Sequence, residues 1–342
     1  VHPVIRAAMD GHGQVFTAAD ARRAGVGRND VAPLLRSGEW WRIRHGVYTT
    51  GATWREHEAS GRTHLLASAA VLVRLDGQAV LSHASAARLH QLVLPARVPD
   101  DVQLTDADRF RAGRGYTVHE AGLTDADVTV VDGLPVTSLA RTLVDVAREW
   151  DVVDAVVAMD DALADGRVTP EVLTETILRH THWPGIGRAS SAVQLARVGA
   201  HSPHETRSRL ALVGAGLPEP LLQAAVYVGT RLVAVLDWVW DDEGVFGEAD
   251  GKAKVLDPWR GRTPGEAVWR EKRRHDELVD LDLRGVRFAP ADLFEALPGK
   301  VDRVRRLLAS PPPSGPRRYR IEQRNGGLRI TPRVAPPSSS AA

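Results

Sequence analysis

The sequence has no cysteine in its 342 residues, which excludes a disulfide scaffold, a zinc ribbon and a cysteine nucleophile together. That absence also suits a reducing compartment. No apolar run approaches the roughly 18 residues needed to span a bilayer. The opening VHPVIRAAMDGHG lacks the charged-then-apolar layout of a secretory signal. The expectation is a cytoplasmic protein with no membrane partner. An excess of positive charge is missing too: the formal net charge is +1, so nothing pulls the whole chain onto a polyanion. Any contact with nucleic acid must come from local clustering.

What is present is ordinary globular material, 43% hydrophobic and 25% charged, with a mean hydropathy of −0.21. That is enough for two or three domains with buried cores. The basic residues are overwhelmingly arginine, the better bidentate reader of phosphate and guanine. The pattern predicts a multidomain α+β or α/β chain. Residues 1–57 read as helix, helix, helix and a short hairpin. Residues 62–175 mix helices such as SLARTLVDVAREW with alternating strands such as DVQLT and GYTVHE. Residues 176–200 read as a connecting segment. Residues 201–308 read as helix, strand, strand, strand, helix, strand, helix. Residues 309–342 contain PPPSGPRR and VAPPSSSAA, a composition that predicts a disordered, arginine-bearing tail.

Near the N-terminus, Thr17 and Asp20 have the spacing of a capping box opening the helix TAADARRA. Gly25-Val26-Gly27 breaks it. A second helix follows in RNDVAPLLRSG, with Val31, Leu34 and Leu35 inward and Gly38 as its stop. Two short helices around a glycine turn form a helix-turn-helix, whose second helix enters the major groove of duplex DNA. Arg28 and Asn29 at its start would meet base edges, with Arg36 further along. In WWRIRHGVY, Arg42 and Arg44 near a glycine turn read as a wing facing phosphates. A small helical domain with a solvated arginine face fits the same residues.

The stretch GQVFTAADARRAGVGRNDVAPLLRSGEWWRIRHGVY resembles the N-terminal winged helix of the AbiEi-type antitoxins of type IV toxin–antitoxin systems. AVLSHASAARLHQL and GLPVTSLARTLVDVA are similar to the body of that family. The resemblance covers roughly residues 10–150 and implies a transcriptional autoregulator that binds operator DNA and counters a nucleotidyltransferase toxin. His83 and His90 within it read as packed or surface groups rather than ligands.

A second signal lies in RLVAVLDWVWDDEGVFGEADGKAK. With Asp241–Gly244 as a hairpin loop, Trp240 pairs with Val245, and Asp237 falls opposite Glu248 with Asp250 two residues further on the same face. Opposed side chains have Cβ atoms about 4.5–5.5 Å apart. Two carboxylates that close need a shared proton or a cation between them, and Mg²⁺ takes such oxygen ligands. A one-residue slip would instead send Asp237 to solvent. Upstream, Ser202 reads as an N-cap, Pro203 as the first helical residue and Glu205 as the third. Glu205 is then either half of a capping box or a helix-borne acid of the same site.

This order of acidic helix, Asp237 strand and Glu248 strand resembles the PD-(D/E)XK nuclease superfamily, and most closely its very-short-patch-repair endonucleases. VWREKRRHDELVDLDLRGVRFAPADL is similar to that domain's closing helix and strand. The resemblance covers about residues 201–308 and implies a restriction-endonuclease-like mixed sheet flanked by helices. It implies Mg²⁺ (or Mn²⁺) on Asp237 and Glu248, with Glu205 as an auxiliary acid and a lysine orienting water. The superfamily's lysine position is here Asp250, so Lys252 or Lys254 would have to substitute. Arg270, Lys272, Arg273 and Arg274 read equally as a backbone track or a solvated face. Three whole-protein readings follow: a DNA-binding regulator with a possibly degenerate nuclease-type domain, an active endonuclease targeted by the winged helix, and a protein-interaction antitoxin without chemistry.

Overall fold

The computed structural model describes residues 1–75, 79–249, 264–312 and 315–323. It is a mixed α/β chain with a three-stranded, a six-stranded and a five-stranded sheet among the described residues. The chain divides into two compact units, Val1–Ala196 and Arg197–Ala342.

The first unit begins with α1 (Pro3–Gly11), β1 (Phe16–Thr17), α2 (Ala18–Arg23), α3 (Val31–Arg36), β2 (Trp40–Arg44) and β3 (Val47–Thr50). Thr17 caps α2 through the expected box: its hydroxyl accepts from the Asp20 N–H, and Asp20 accepts from the Thr17 N–H. The strands form an antiparallel sheet in the order β1-β3-β2. Ile5, Phe16, Ala21, Trp40 and Tyr48 bury against Val31, Leu34 and Leu35, so the inward stripe read from the sequence is the one the packing uses. Phe16 and Trp40 meet edge to face at 4.7 Å. Gly51 starts α4 (Gly51–Ala59), where its N–H reaches the Glu39 carbonyl at 2.7 Å. A Cβ there would lie 1.9 Å from the Gly38 carbonyl oxygen, so only glycine fits.

After α5 (Thr63–Leu72) comes the six-stranded sheet: β4 (Val80–Leu81), β5 (Val102–Asp106), β6 (Arg111–Gly113), β7 (Tyr116–Glu120), β8 (Val128–Val131) and β9 (Leu134–Thr137). Its order is β6-β7-β5-β4-β9-β8, with β5–β7 and β4–β9 parallel. α6 (His83–Leu89) follows β4, and α7 (Leu139–Glu149) and α8 (Val152–Ala164) follow β9 in turn. The segment expected to be a connection over 176–200 instead contains the end of α9 (Pro170–Arg179) and all of α10 (Ile186–Leu195). Ala189 and Ala192 of α10 are fully buried, and Trp183 covers the buried Arg141 guanidinium at 4.1 Å. Small alanines at helical spacing let this helix pack closely, which its polar composition conceals.

The second unit has the element order expected from the sequence. α11 (Pro203–Gly214), β10 (Leu221–Val228), β11 (Arg231–Trp240) and β12 (Val245–Ala249) are followed by α12 (Pro264–Asp280), β13 (Arg284–Phe288) and α13 (Leu297–Ala309). Strand β12 runs antiparallel to β11 and parallel to β13. Two cores form, one around Trp238, Trp240 and Phe288 and one around Leu236, Val239 and Phe246. The tail departs from expectation. Arg320–Gln323 forms β14 on the outer edge of β10, giving the order β13-β12-β11-β10-β14. The edge of β10 offers unpaired backbone groups, and Tyr319 and Ile321 supply apolar side chains that pack on the core beside it. Residues 324–342 lie outside the described ones. Among the described residues no helix is long and apolar enough to cross a membrane.

Candidate functional site

Two groups of residues carry the chemistry read from the sequence, one in each unit. In the first, α3 begins at Val31, so Arg28 and Asn29 sit in the turn before it rather than in its first turn. Asp30 holds that turn, accepting from the Gly27 N–H at 2.9 Å. Arg28, Asn29 and Arg36 are exposed. Strands β2 and β3 turn at His45-Gly46, with Gly46 at φ +72°. Arg42 is exposed at 6.0 Å from the Tyr48 ring. Arg44 is committed elsewhere: it donates to the Arg114 carbonyl at 2.5 Å and lies over the Tyr116 ring at 5.3 Å. Its charge therefore faces the following sheet. Trp41 remains 44% exposed beside these cations, stacked on Trp54 at 4.8 Å.

In the second unit the hairpin has the expected register, with Trp240 opposite Val245 and Trp238 opposite Gly247. One step further places Asp237 beside Glu248, and Asp237 accepts from the Ala249 N–H at 2.7 Å. Glu248 is buried and Asp237 half-buried. Glu205 is buried at the start of α11, taking the Ser202 hydroxyl at 2.8 Å and the His201 N–H at 2.9 Å. It completes the cap and is linked to Asp237 through Gln223. The Gln223 amide donates to Glu205 at 3.1 Å and to Asp237 at 3.3 Å. Gln223 was legible as an amide inside LLQAAVYV, an otherwise apolar strand, but its spacing to the acids was not.

The charge balance at Glu248 was not anticipated. Arg274 donates to Glu248 Oε1 at 2.6 Å, and Arg287 lies 3.5 Å from Oε2. Glu271 ties both guanidinium groups, each at 2.5 Å. Burial acts to raise the Glu271 carboxyl, but these two cations outweigh it and hold it below its ordinary value. Of the cationic run on α12, Arg270, Lys272 and Arg273 are exposed while Arg274 turns inward. Asp250, Lys252 and Lys254 lie outside the described residues.

The donor set suits a hard cation in kind, since Glu205, Asp237 and Glu248 offer only oxygens. Glu248 Oε2 is buried without a hydrogen-bond partner. In arrangement the fit is incomplete. Among the described residues these acids do not bring three ligand atoms within 4.8 Å of one another, and Arg274 occupies one Glu248 oxygen.

Comparison with known proteins gives three findings. A sequence model of the AbiEi antitoxins, described as transcriptional regulators, matches residues 4–50. Two uncharacterised proteins of Mycobacterium tuberculosis, from strains CDC 1551 / Oshkosh and H37Rv, are each 26% identical over 285 residues, covering 81% of this chain and 98% of their own. The crystal structure of the RV2827C protein from Mycobacterium tuberculosis aligns with a TM-score of 0.36 and 20% identity, over 57% of this chain and 78% of that one. The antitoxin match falls on the helices and hairpin that carry Arg28, Asn29, Arg36 and Arg42.

Proposed function

We propose that the chain is a DNA-binding transcriptional regulator of the antitoxin kind, reading duplex DNA through a winged helix at its N-terminus. The observation that carries this is the exposure of Arg28, Asn29, Arg36 and Arg42 within the helices, turn and hairpin that match the AbiEi regulators. Arg28 and Asn29, ahead of α3, are placed to meet base edges, while Arg42 on the hairpin meets phosphate. A nucleotidyltransferase toxin is the partner this reading implies.

A second reading is favoured by the buried Glu248 carboxylate beside Asp237, whose Oε2 takes no hydrogen bond: the second unit is a nuclease-type domain that takes Mg²⁺ or Mn²⁺. Asp237 and Glu248 would hold the ion, and Gln223 would fix Asp237 relative to Glu205. A bound ion there would activate water and stabilise the leaving oxygen of a phosphodiester.

One experiment separates the readings. Purified protein is incubated with supercoiled plasmid and Mg²⁺ or Mn²⁺, beside an Asp237→Asn/Glu248→Gln variant and an EDTA control. Duplex binding without nicking is the expected result and supports the first reading. Nicking by the wild type alone, abolished by EDTA, establishes the second reading. A protein that neither shifts duplex DNA nor nicks it refutes both.

A further inference from the structure

The six-stranded sheet of the first unit holds a polar cluster that neither reading uses. His83 opens α6, His119 lies on β7 and Glu149 ends α7. Gln103 on β5 stands between the strands that deliver them. His83 Nε2 is 3.6 Å from Glu149 Oε1, and the two imidazoles stack at 4.0 Å with 24° between their planes. One ligand atom from each of the three residues lies within 4.8 Å of the others. Among the described residues this is the one group of histidine and carboxylate side chains with that property. We propose that His83, His119 and Glu149 bind one divalent transition-metal ion of the Zn²⁺ class.

Four features support a built site. His83 is 3% exposed and has φ +47°, a conformation that a residue with a Cβ holds only when its surroundings dictate it. Its Nδ1 bonds the Ser82 hydroxyl at 2.8 Å, which leaves Nε2 facing Glu149. Such an outer hydrogen bond fixes the orientation of a ligating imidazole. His119 Nε2 is buried with no hydrogen-bond partner, an arrangement that is unfavourable unless a ligand satisfies it. The Gln103 Oε1 accepts from the Ala84 N–H at 2.9 Å, and its side chain lies close enough to the Glu149 carboxylate to interact with it.

Two guanidinium groups, Arg141 and Arg148, face the imidazoles. The guanidinium groups facing them are matched within the fold. Arg141 and Arg148 contact Asp145 at 2.9 and 3.1 Å, and Arg141 lies 3.6 Å from Asp127. Glu149 is the one carboxylate of the trio. Two nitrogens and one oxygen select a Zn²⁺-class ion over Mg²⁺. Tetrahedral bonds of about 2.0–2.1 Å need ligand atoms about 3.3–3.4 Å apart, so the trio closes around the ion and one of the two stacked imidazoles turns to aim its nitrogen at it. The Glu149 side chain is 40% exposed, which leaves the fourth position to water.

The test is a Co²⁺ titration of the full chain, stripped with EDTA, followed by competition with Zn²⁺. An Asp237→Asn/Glu248→Gln background keeps the other carboxylates from contributing. One equivalent should give the visible absorption of tetrahedral Co²⁺, and Zn²⁺ should displace it. His119→Gln and Glu149→Gln, each checked for an unchanged far-ultraviolet circular dichroism spectrum, should weaken binding at least about tenfold. The absence of that absorption in the background protein, or affinity unchanged in both single variants, overturns the proposal. The background titration decides even if a variant misfolds.

Discussion

Two arginines on one hairpin should behave oppositely when replaced by alanine. Arg42 is exposed, whereas Arg44 is held by the Arg114 carbonyl and the Tyr116 ring. Each phosphate contact contributes about −0.9 to the slope of log K against log salt. Losing the Arg42 contact should therefore flatten the slope by about 0.9. Between about 50 and 200 mM salt, the wild type should then lose about 3.5-fold more affinity than Arg42→Ala. Arg44→Ala should leave the slope in place and lower stability by about 1 kcal/mol, through the lost hydrogen bond and ring contact. The assay is fluorescence anisotropy on a labelled mixed-sequence duplex a few helical turns long, with urea unfolding of each variant. A slope that flattens for Arg44→Ala and stays unchanged for Arg42→Ala would refute the assignment of the two side chains.

Acid should destabilise the first unit through His64, which burial, with Arg88 nearby, lowers to about 4. It is neutral when folded and binds a proton near pH 6.5 when unfolded. Its contribution is therefore present above pH 6.5 and is lost as the pH falls towards 4, by about 3 kcal/mol in all. His64→Gln should flatten the urea midpoint between pH 7.5 and 5, and a midpoint as acid-sensitive as the wild type would contradict this. Gly51→Ala should destabilise by at least about 1–3 kcal/mol because the new methyl meets the Gly38 carbonyl; thermal unfolding indistinguishable from wild type would show that the backbone yields. Asp145→Asn removes the shared partner of Arg141 and Arg148 and should lower stability by about 3 kcal/mol, since Arg141 is fully buried. A loss under about 1 kcal/mol would mean that Asp127 alone suffices.

Local signals carried the parts of the fold that short-range physics decides. The Thr17–Asp20 box and the Asp241–Gly244 turn depend on residues three or four apart, and both stand in the structure. The start of α3 was less legible, because Asp30 folds back on the Gly27 N–H and delays the helix to Val31. Strand β14 was hidden because Tyr319 and Ile321 become apolar anchors only when the edge of β10 is there to receive them. The histidine cluster was illegible for the same reason. His83, His119 and Glu149 are separated by tens of residues, and only the crossover order of the sheet brings them together. His83 reads alone as a packed or surface group rather than a ligand; the fold buries it beside two other ligand-bearing side chains.

The carboxylate site shows how a correct register can still leave chemistry undecided. Asp237 and Glu248 are neighbours as the hairpin requires, and like charges at that spacing call for a compensating cation. Here the protein supplies positive charge itself, through Arg274 and Arg287 on Glu248. A divalent ion at Glu248 Oε2 would stand beside Arg287 and would share the carboxylate with Arg274 on Oε1. Repulsion from these guanidinium groups weakens metal binding unless another anion draws them away, and a nucleic-acid phosphate is the group best suited to a guanidinium. The second reading therefore depends on DNA and metal arriving together, whereas the first needs only the exposed arginines of the N-terminal helices and hairpin. A chain that binds duplex DNA with Asp237 and Glu248 both neutralised would remain a regulator.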